Sequence, residues 1–183
     1  MKVFKPWPDG NPQMAHPMDV SDFEYIKCSL EQADPLDGWS PPRMNLVTRE
    51  SNGERLSYAD SPWFGVSLIV LRVNAAISLG PEMHEIFHFL PFLCDDTELV
   101  GLTPKLMISG ALNLDASEVQ RLVPSQTIFK VNKHVFEPMA IGAVPAFKIS
   151  ELRSSPIYVT DTFVNKWLTC GLVGIEFEKI WEM

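Results

Sequence analysis

The chain has 183 residues, of which 46% are hydrophobic, so it can bury a sizeable core in one domain or in two closely packed lobes. Its formal net charge of −8 would repel the phosphates of nucleic acids and anionic lipids, so we expect neither as a partner. The N-terminus has no apolar signal-peptide core, and the apolar run at 66–71 is too short to span a bilayer. We therefore expect a cytoplasmic protein.

The charge is unevenly distributed along the chain. Residues 1–120 contain 8 Lys and Arg against 17 Asp and Glu, whereas residues 121–183 contain 7 against 6. The acidity of the first two-thirds would attract a basic protein and speed its association. The same composition is also typical of a surface that only maintains solubility. Charge by itself therefore leaves both interpretations open.

The first half of the chain predicts short strands separated by turns. Residues 3–5 and 23–26 are expected to be strands, and a loop rich in Pro and Gly follows at 34–42. An Asn-Gly pair, Asn52-Gly53, predicts a hairpin between 45–49 and 56–58. Residues 66–71 form either a buried strand or the start of a helix that ends at Gly80-Pro81, and periodicity does not separate the two.

The second half predicts one further helix and one further strand before its C-terminal unit. Asp115 and Glu118 resemble a capping box, which predicts a helix through Val123. Residues 128–131 are expected to begin a strand, because they are mostly β-branched or aromatic.

The last thirty residues predict a strand, a helix and a second strand. Residues 157–159 are β-branched or aromatic and follow a proline. Thr160 and Asp161 can cap a helix of about ten residues, on which Trp167 lies on the apolar face and after which Gly171 can end the helix. Residues 175–177 then alternate as in a half-buried strand. Together these elements predict an α+β fold with a largely antiparallel sheet and a few short helices.

Three cysteines, Cys28, Cys94 and Cys170, are too few and too widely spaced for a disulfide framework or a structural zinc site. We expect them to be small core residues, because free cysteine is often buried. The tryptophans are likewise expected mainly in the core, although tryptophan is also enriched at interfaces.

One short motif raises the possibility of an enzyme. His84-Glu85-Ile86-Phe87-His88 matches the H-E-x-x-H pattern, in which two histidines one helical turn apart bind zinc and the glutamate activates water. Prolines at 81 and 91 restrict a helix here to about two turns, whereas residues 82–91 alternate imperfectly as in a half-buried strand. A strand would hold the two histidines about 13 Å apart, too far for one ion.

No third zinc ligand is found at a recognised spacing. Cys94 stands where a metzincin has its third histidine, and Glu118, His134 and Glu137 have no spacing that supports them. We therefore expect neither a metal nor another cofactor. A zinc metallopeptidase that uses His84, Glu85 and His88 remains the alternative.

An acidic cluster, Asp95, Asp96 and Glu98, follows the motif. Nothing nearby supplies the other oxygen ligands of a cation site at a known spacing, so a solvated turn is the simpler interpretation.

Four motifs follow one another in the chain: Phe89-Leu-Pro-Phe92, Leu112-Asn-Leu-Asp-Ala-Ser-Glu-Val119, Phe147-Lys-Ile149 and Gly171-Leu-Val-Gly-Ile-Glu-Phe177. Their order resembles the eleventh-numbered immunity protein family of bacterial polymorphic-toxin loci, once catalogued as a domain of unknown function. In that family they correspond to a "Phe-Leu-Pro-Val" strand, the start of a "Leu-Asp-x-x-Ser" helix, a "Phe-Arg-Leu"-like strand and a "Gly-Leu-x-Gly-hydrophobic-x-Phe" strand. The resemblance spans about residues 58–183.

This resemblance implies a single immunity-protein-like domain over 1–183 that binds a cognate toxin domain and blocks it without catalysis. A basic toxin would suit the acidic chain, with Asp95, Asp96 and Glu98 as candidate partner-binding residues. Besides the peptidase, a non-catalytic regulatory binding domain stays open as an alternative. The sequence does not indicate whether the chain forms a homo-oligomer.

Overall fold

Strands outnumber helices in the computed structural model, which describes residues 1–152 and 154–183. The strands are β1 (Lys2–Pro8), β2 (Met14–Pro17), β3 (Met44–Val47), β4 (Ile69–Arg72), β5 (Phe87–Phe92), β6 (Leu99–Pro104), β7 (Met107–Ile108), β8 (Glu118–Arg121), β9 (Ile128–Lys133), β10 (Ala146–Ile149), β11 (Tyr158–Thr160) and β12 (Ile175–Glu182). The helices are α1 (Ser21–Leu30), α2 (Val73–Ser78), α3 (Met83–Ile86), α4 (Pro138–Ile141) and α5 (Asp161–Thr169). The fold is α+β with mostly antiparallel pairing, which confirms the predicted class.

A large sheet of five strands, in the order β12-β1-β11-β10-β7, is antiparallel except for the pairing of β7 with β10. Successive side chains of a strand point to opposite faces, and both faces of this sheet are covered. Phe147 and Tyr158 pack on one face against residues such as Phe136, whereas Ala146 and Val159 contribute to a second cluster on the other face.

A small antiparallel sheet, in the order β4-β6-β5, faces this second cluster. Every residue of β6 is buried. Leu71 and Phe87 join the cluster that also contains residues of α2 and α5. Leu90 and Phe92 pack on the opposite face, in a cluster that includes α1 residues such as Ile26. The small sheet is therefore covered on both sides, and its position between two layers explains its continuous apolar sequence.

The predicted strand, helix and strand of the C-terminal unit are confirmed as β11, α5 and β12, but Thr160, at the start of the helix, forms no capping side-chain hydrogen bond. Trp167 is only 1% exposed, and its indole Nε1 donates a hydrogen bond to the Leu172 carbonyl at 3.1 Å. Gly171 has φ +66°, the left-handed conformation that ends a helix at low cost for glycine. Gly174 has no room for a side chain, because an added Cβ would lie 2.5 Å from the Ser61 carbonyl oxygen.

The predicted strand at 23–26 is wrong, because these residues lie within α1. Asp19 Oδ1 accepts a hydrogen bond from Ser21 N at 2.8 Å just before the helix, and Lys27 pairs with Glu24 at a spacing of three residues. Ile26 and Leu30 are four residues apart and both buried, as on one helical face. The period is therefore helical, and a four-residue window was too short to reveal it.

The predicted helix from Asp115 to Val123 is also wrong. Residues 114–116 form a single turn, in which Asn113 Oδ1 accepts a hydrogen bond from Ala116 N at 3.0 Å. The chain then continues as β8, which pairs antiparallel with β9. The motif at 112–119 therefore does not begin a helix here. The strand predicted to begin at 128–131 is confirmed as β9.

The hairpin around Asn52-Gly53 is confirmed as a turn, but its second arm is not a regular strand. Arg49 and Arg55 form an isolated antiparallel bridge. Leu56 N donates a hydrogen bond of ordinary length, 3.0 Å, to the Thr48 carbonyl. The ambiguity at 66–71 is resolved as a strand followed by a helix, β4 and then α2.

The expectation that all three cysteines lie in the core is wrong for Cys28, which is exposed on α1. Cys94 and Cys170 are partly buried and pack against core clusters. Among the tryptophans, Trp7 is 46% exposed, unlike Trp167. No helix in the described part of the chain is long and apolar enough to cross a membrane.

Candidate functional site

An irregular segment at 31–43 covers the outer edge of β5, which is an edge strand of the small sheet. Trp39 Nε1 donates a hydrogen bond to the Pro91 carbonyl at 3.0 Å. Leu93 N donates to the Pro42 carbonyl at 3.0 Å, and Met44 N donates to the Leu93 carbonyl at 2.7 Å. These bonds cover the C-terminal end of the β5 edge, and they fix the segment against the start of the turn between β5 and β6.

The covering segment and the β5–β6 turn place acidic residues along one edge of the small sheet, which we call the acidic edge: Asp34 contacts His88 near the start of β5, and Asp95 pairs with Arg43 beyond its end. Its members are exposed carboxylates on the segment and on the β5–β6 turn: Asp34, Asp37, Asp95, Asp96 and Glu98. The predicted solvated turn is therefore present. Two exposed apolar side chains lie in the same segments, Leu36 at 44% and Leu93 at 53% exposure.

The acidic edge keeps most of its negative charge. Arg43 Nη2 lies 3.2 Å from Asp95 Oδ1, but both side chains are largely exposed, so this pair is weak. His88 Nδ1 lies 3.6 Å from Asp34 Oδ1. Burial lowers the pKa of His88 below its usual value, although the Asp34 charge opposes this shift. The charges of Lys105 and Lys148 lower this pKa further. His88 is therefore mostly neutral at pH 7 and adds little positive charge of its own beside Asp34.

The histidines of the H-E-x-x-H motif lie on two different elements. His84 and Glu85 belong to the short helix α3, so the predicted strand is wrong for this part, whereas His88 lies on β5 as predicted. The His84 ring stacks on Phe89 with ring centroids 3.9 Å apart. Phe89 packs against the cluster on one face of the small sheet, whereas Leu90 packs in the cluster on the other face. His88 precedes Phe89 on the strand and is two residues from Leu90.

Neighbouring side chains on a strand point to opposite faces. His84, which stacks on Phe89, and His88, which contacts Asp34, therefore lie on opposite faces of the small sheet and do not converge on one ion. Among the described residues, no group of three or more His, Cys, Asp or Glu side chains is arranged to hold a metal ion.

A cleft of about 500 Å³ opens between α1, the loop at 64–67 and the segment at 148–155. Lys148, on β10, lines this cleft although it is only 4% exposed. It points to the face of the large sheet that also carries Ala146, whereas Phe147 and Ile149 point to the other face. Its Nζ donates a hydrogen bond to the Leu30 carbonyl, at the end of α1, at 3.4 Å.

Lys148 is the polar residue that sequence reasoning missed. Its signal was a single charged residue inside the buried strand Ala146–Ile149, within a motif used only for its resemblance. Burial lowers the pKa of Lys148 to about 8, and the charge of Glu31 opposes this shift. One structural role is clear, because a lysine near the last carbonyls of a helix stabilises that end of the helix.

A scan of this chain against protein-family models gave no match, and a search of curated proteins gave none either. The acidic edge and the cleft beside Lys148 are therefore interpreted from their geometry and charge.

Proposed function

We propose that this protein is a toxin-neutralising immunity protein, which acts in the cytosol by binding a basic toxin domain through the acidic edge. The observation that carries the proposal is that the covering segment, which is bonded to β5, and the β5–β6 turn carry five exposed carboxylates and two exposed leucines. The resemblance of the motifs at 89–92, 147–149 and 171–177 to an immunity family gives independent support.

The composition of this surface suits a protein partner better than a small molecule. Interfaces combine a desolvated apolar centre with a polar rim, and complementary charge speeds encounter and excludes wrong partners. Leu36 and Leu93 would supply apolar contact area, while the surrounding carboxylates would attract lysines and arginines of the partner. The fixed backbone of the covering segment would limit the entropy lost on binding.

The direct test is co-expression with the C-terminal domain of a toxin encoded beside this gene. We expect growth to be rescued and the two proteins to co-purify as a stable complex, while an unrelated toxin remains active. If none of the toxin domains encoded beside the gene is bound or neutralised, the proposal is wrong.

A matched pair of variants tests the surface. Leu93→Glu should weaken binding roughly tenfold or more, because it places a charge in the apolar part of the interface. Leu168→Glu makes the same change on α5, at a position that is 66% exposed against 53% for Leu93, and should leave the affinity unchanged. Circular dichroism must show both variants folded. Equal affinities of Leu93→Glu and the parent would exclude the acidic edge as the binding surface.

A further inference from the structure

We propose that the cleft beside Lys148 binds a small carboxylic acid with an apolar body, whose carboxylate pairs with the Lys148 ammonium. This cleft shares no lining residue with the acidic edge, and the proposal does not depend on toxin binding.

The shape of the cleft suits a small molecule. Its volume of about 500 Å³ lies within the range of small-molecule sites, roughly 300–1,000 Å³. Apolar side chains form most of its walls: Phe23, Ile26, Leu30, Phe64, Val66 and Leu152. A hydrocarbon or aromatic body would therefore be desolvated against matching surface, which is the main driving force for such ligands.

The Lys148 ammonium determines the charge of the ligand. It has three donors, but its one hydrogen bond to a described residue is the 3.4 Å contact with Leu30. No described carboxylate lies within 4.0 Å of it. A buried cation without a partner is costly, and a carboxylate would replace lost hydration with a strong charge-assisted hydrogen bond. Because the pKa of Lys148 is about 8, the amine is mostly protonated at neutral pH.

The surroundings of Lys148 favour one negative charge over two. Glu24 and Glu31 line the same cleft and would repel a phosphate dianion more strongly than a carboxylate. Lys27 also lines the cleft but is paired with Glu24 at 3.3 Å. The Ser154 hydroxyl donates to Glu31 at 3.1 Å, so it is not free to donate to an anion. A single carboxylate needs only one cation, and Lys148 supplies it.

Three ligands of equal chain length test this assignment on the unmodified protein at pH 7. Octanoate, 1-octanol and octylamine differ only in the head group, and titration calorimetry gives their affinities. We expect octanoate to bind roughly ten- to a hundredfold more tightly than octanol, and octylamine to bind most weakly, because charge-assisted bonds are about that strong. Octanoate that binds no better than octanol or octylamine would overturn the proposal.

A pair of lysine variants locates the site. Lys148→Met keeps the length and the apolar stem of the side chain, so it should remove the preference for octanoate over octanol while octanol binding changes less than about twofold. Lys130→Met removes an equal charge from the exposed strand β9 and should keep the full preference. A preference that survives in folded Lys148→Met would show that another group binds the carboxylate. Should Lys148→Met not fold, the comparison of the three ligands on the parent decides.

Discussion

At the scale of single residues, two threonines at buried positions show how much a hydrogen-bond partner matters. Thr103, on β6, is 1% exposed, and its Oγ1 has no hydrogen-bond partner among the described residues. Thr160, at the end of β11, is 3% exposed, but its Oγ1 donates to the Val144 carbonyl at 2.9 Å. Burying a hydroxyl without a partner is unfavourable, whereas a satisfied one contributes modestly to stability.

Replacing each threonine with valine, which has nearly the same shape, should therefore have opposite effects. Thr103→Val should raise the free energy of unfolding by about 1 kcal/mol, because it removes an unpaired buried hydroxyl. Thr160→Val should lower it by about 1 kcal/mol or more, because it leaves the Val144 carbonyl without its donor. Urea denaturation of both variants measures the difference. A loss of stability in Thr103→Val would indicate that this hydroxyl has a partner in solution.

His134 links the stability of the protein to pH. Its ring stacks beside Phe136, and its Nε2 lies 3.2 Å from the hydroxyl oxygen of the buried Tyr158. Burial lowers the pKa of His134 to about 4, and the Lys5 charge lowers it further, while Glu178 partly opposes the shift. In the folded protein this histidine is therefore neutral at pH 7.

The stability contributed by neutral His134 should be lost in acid. The unfolded chain takes up a proton near pH 6.5, whereas the folded chain resists it until about pH 4. The unfolded state thus binds more protons within this window, and the contribution falls by up to ~2 kcal/mol from pH 6.5 to pH 4, allowing for solvent screening. Urea midpoints measured across this range should fall less steeply for His134→Gln. Parallel slopes for parent and variant would contradict the assignment.

At the scale of elements, local signals predicted the C-terminal unit well and α1 poorly. The stretch 156–177 carries a proline before the first strand, an apolar helical face and a glycine after the helix, so most of its boundaries are encoded nearby. For α1, the strand prediction used only residues 23–26. Asp19, which accepts a hydrogen bond at the start of the helix, lies before this window, and the pair of Glu24 with Lys27 extends beyond it. The turn at 114–116 continues as β8 because pairing with β9 outweighs a single capping signal.

The candidate sites were less predictable than the elements. Asp95, Asp96 and Glu98 were visible as a run in the sequence, but Asp34 and Asp37 join them only because the covering segment is bonded to β5. The cleft is built from α1, the 64–67 loop and β10, which lie far apart in sequence. Such contacts depend on how the sheets and α1 pack, and a single sequence carries no local signal for that packing.

Trp167 tests the packing of the C-terminal unit. It lies between Phe163 and Phe177, with ring centroids 6.1 and 5.5 Å away. Trp167→Ala should reduce the free energy of unfolding by about 3–5 kcal/mol, because it leaves a cavity and removes the bond to the Leu172 carbonyl. Leu168→Ala, at the exposed neighbouring position, should change it by less than about 0.5 kcal/mol. Equal melting temperatures for the two variants would contradict the buried position of Trp167.

At the scale of the whole molecule, the proposed interface lies outside the regular elements. The sheets and helices carry the core, whereas the acidic edge is formed by a loop segment and a turn that rigid elements hold in place. Loops on a rigid scaffold commonly carry binding function, because they can vary without disturbing the core. The cleft shares none of the residues of the acidic edge, but Glu31, which lines it, begins the covering segment, so a small molecule and a protein partner would use neighbouring surfaces.

Charge reversal can separate the effect of the acidic edge from that of net charge. Changing Asp95, Asp96 and Glu98 to lysine alters the net charge from −8 to −2. Changing the exposed Glu54, Asp115 and Glu118 to lysine gives the same net charge at other positions. With a basic toxin domain as partner, the first variant should associate roughly tenfold more slowly at low salt, and the second should stay close to the parent.

Salt dependence identifies the physical origin of that difference. If the three carboxylates steer the partner from the rim, dissociation should change less than association, and the defect should shrink at about 1 M salt, where charges are screened beyond roughly 3 Å. Surface plasmon resonance at several salt concentrations measures both rates, after thermal melting has shown that both triple variants are folded. Equal slowing of both variants would mean that net charge alone drives the encounter, and the acidic edge would then have no special role in recognising the toxin.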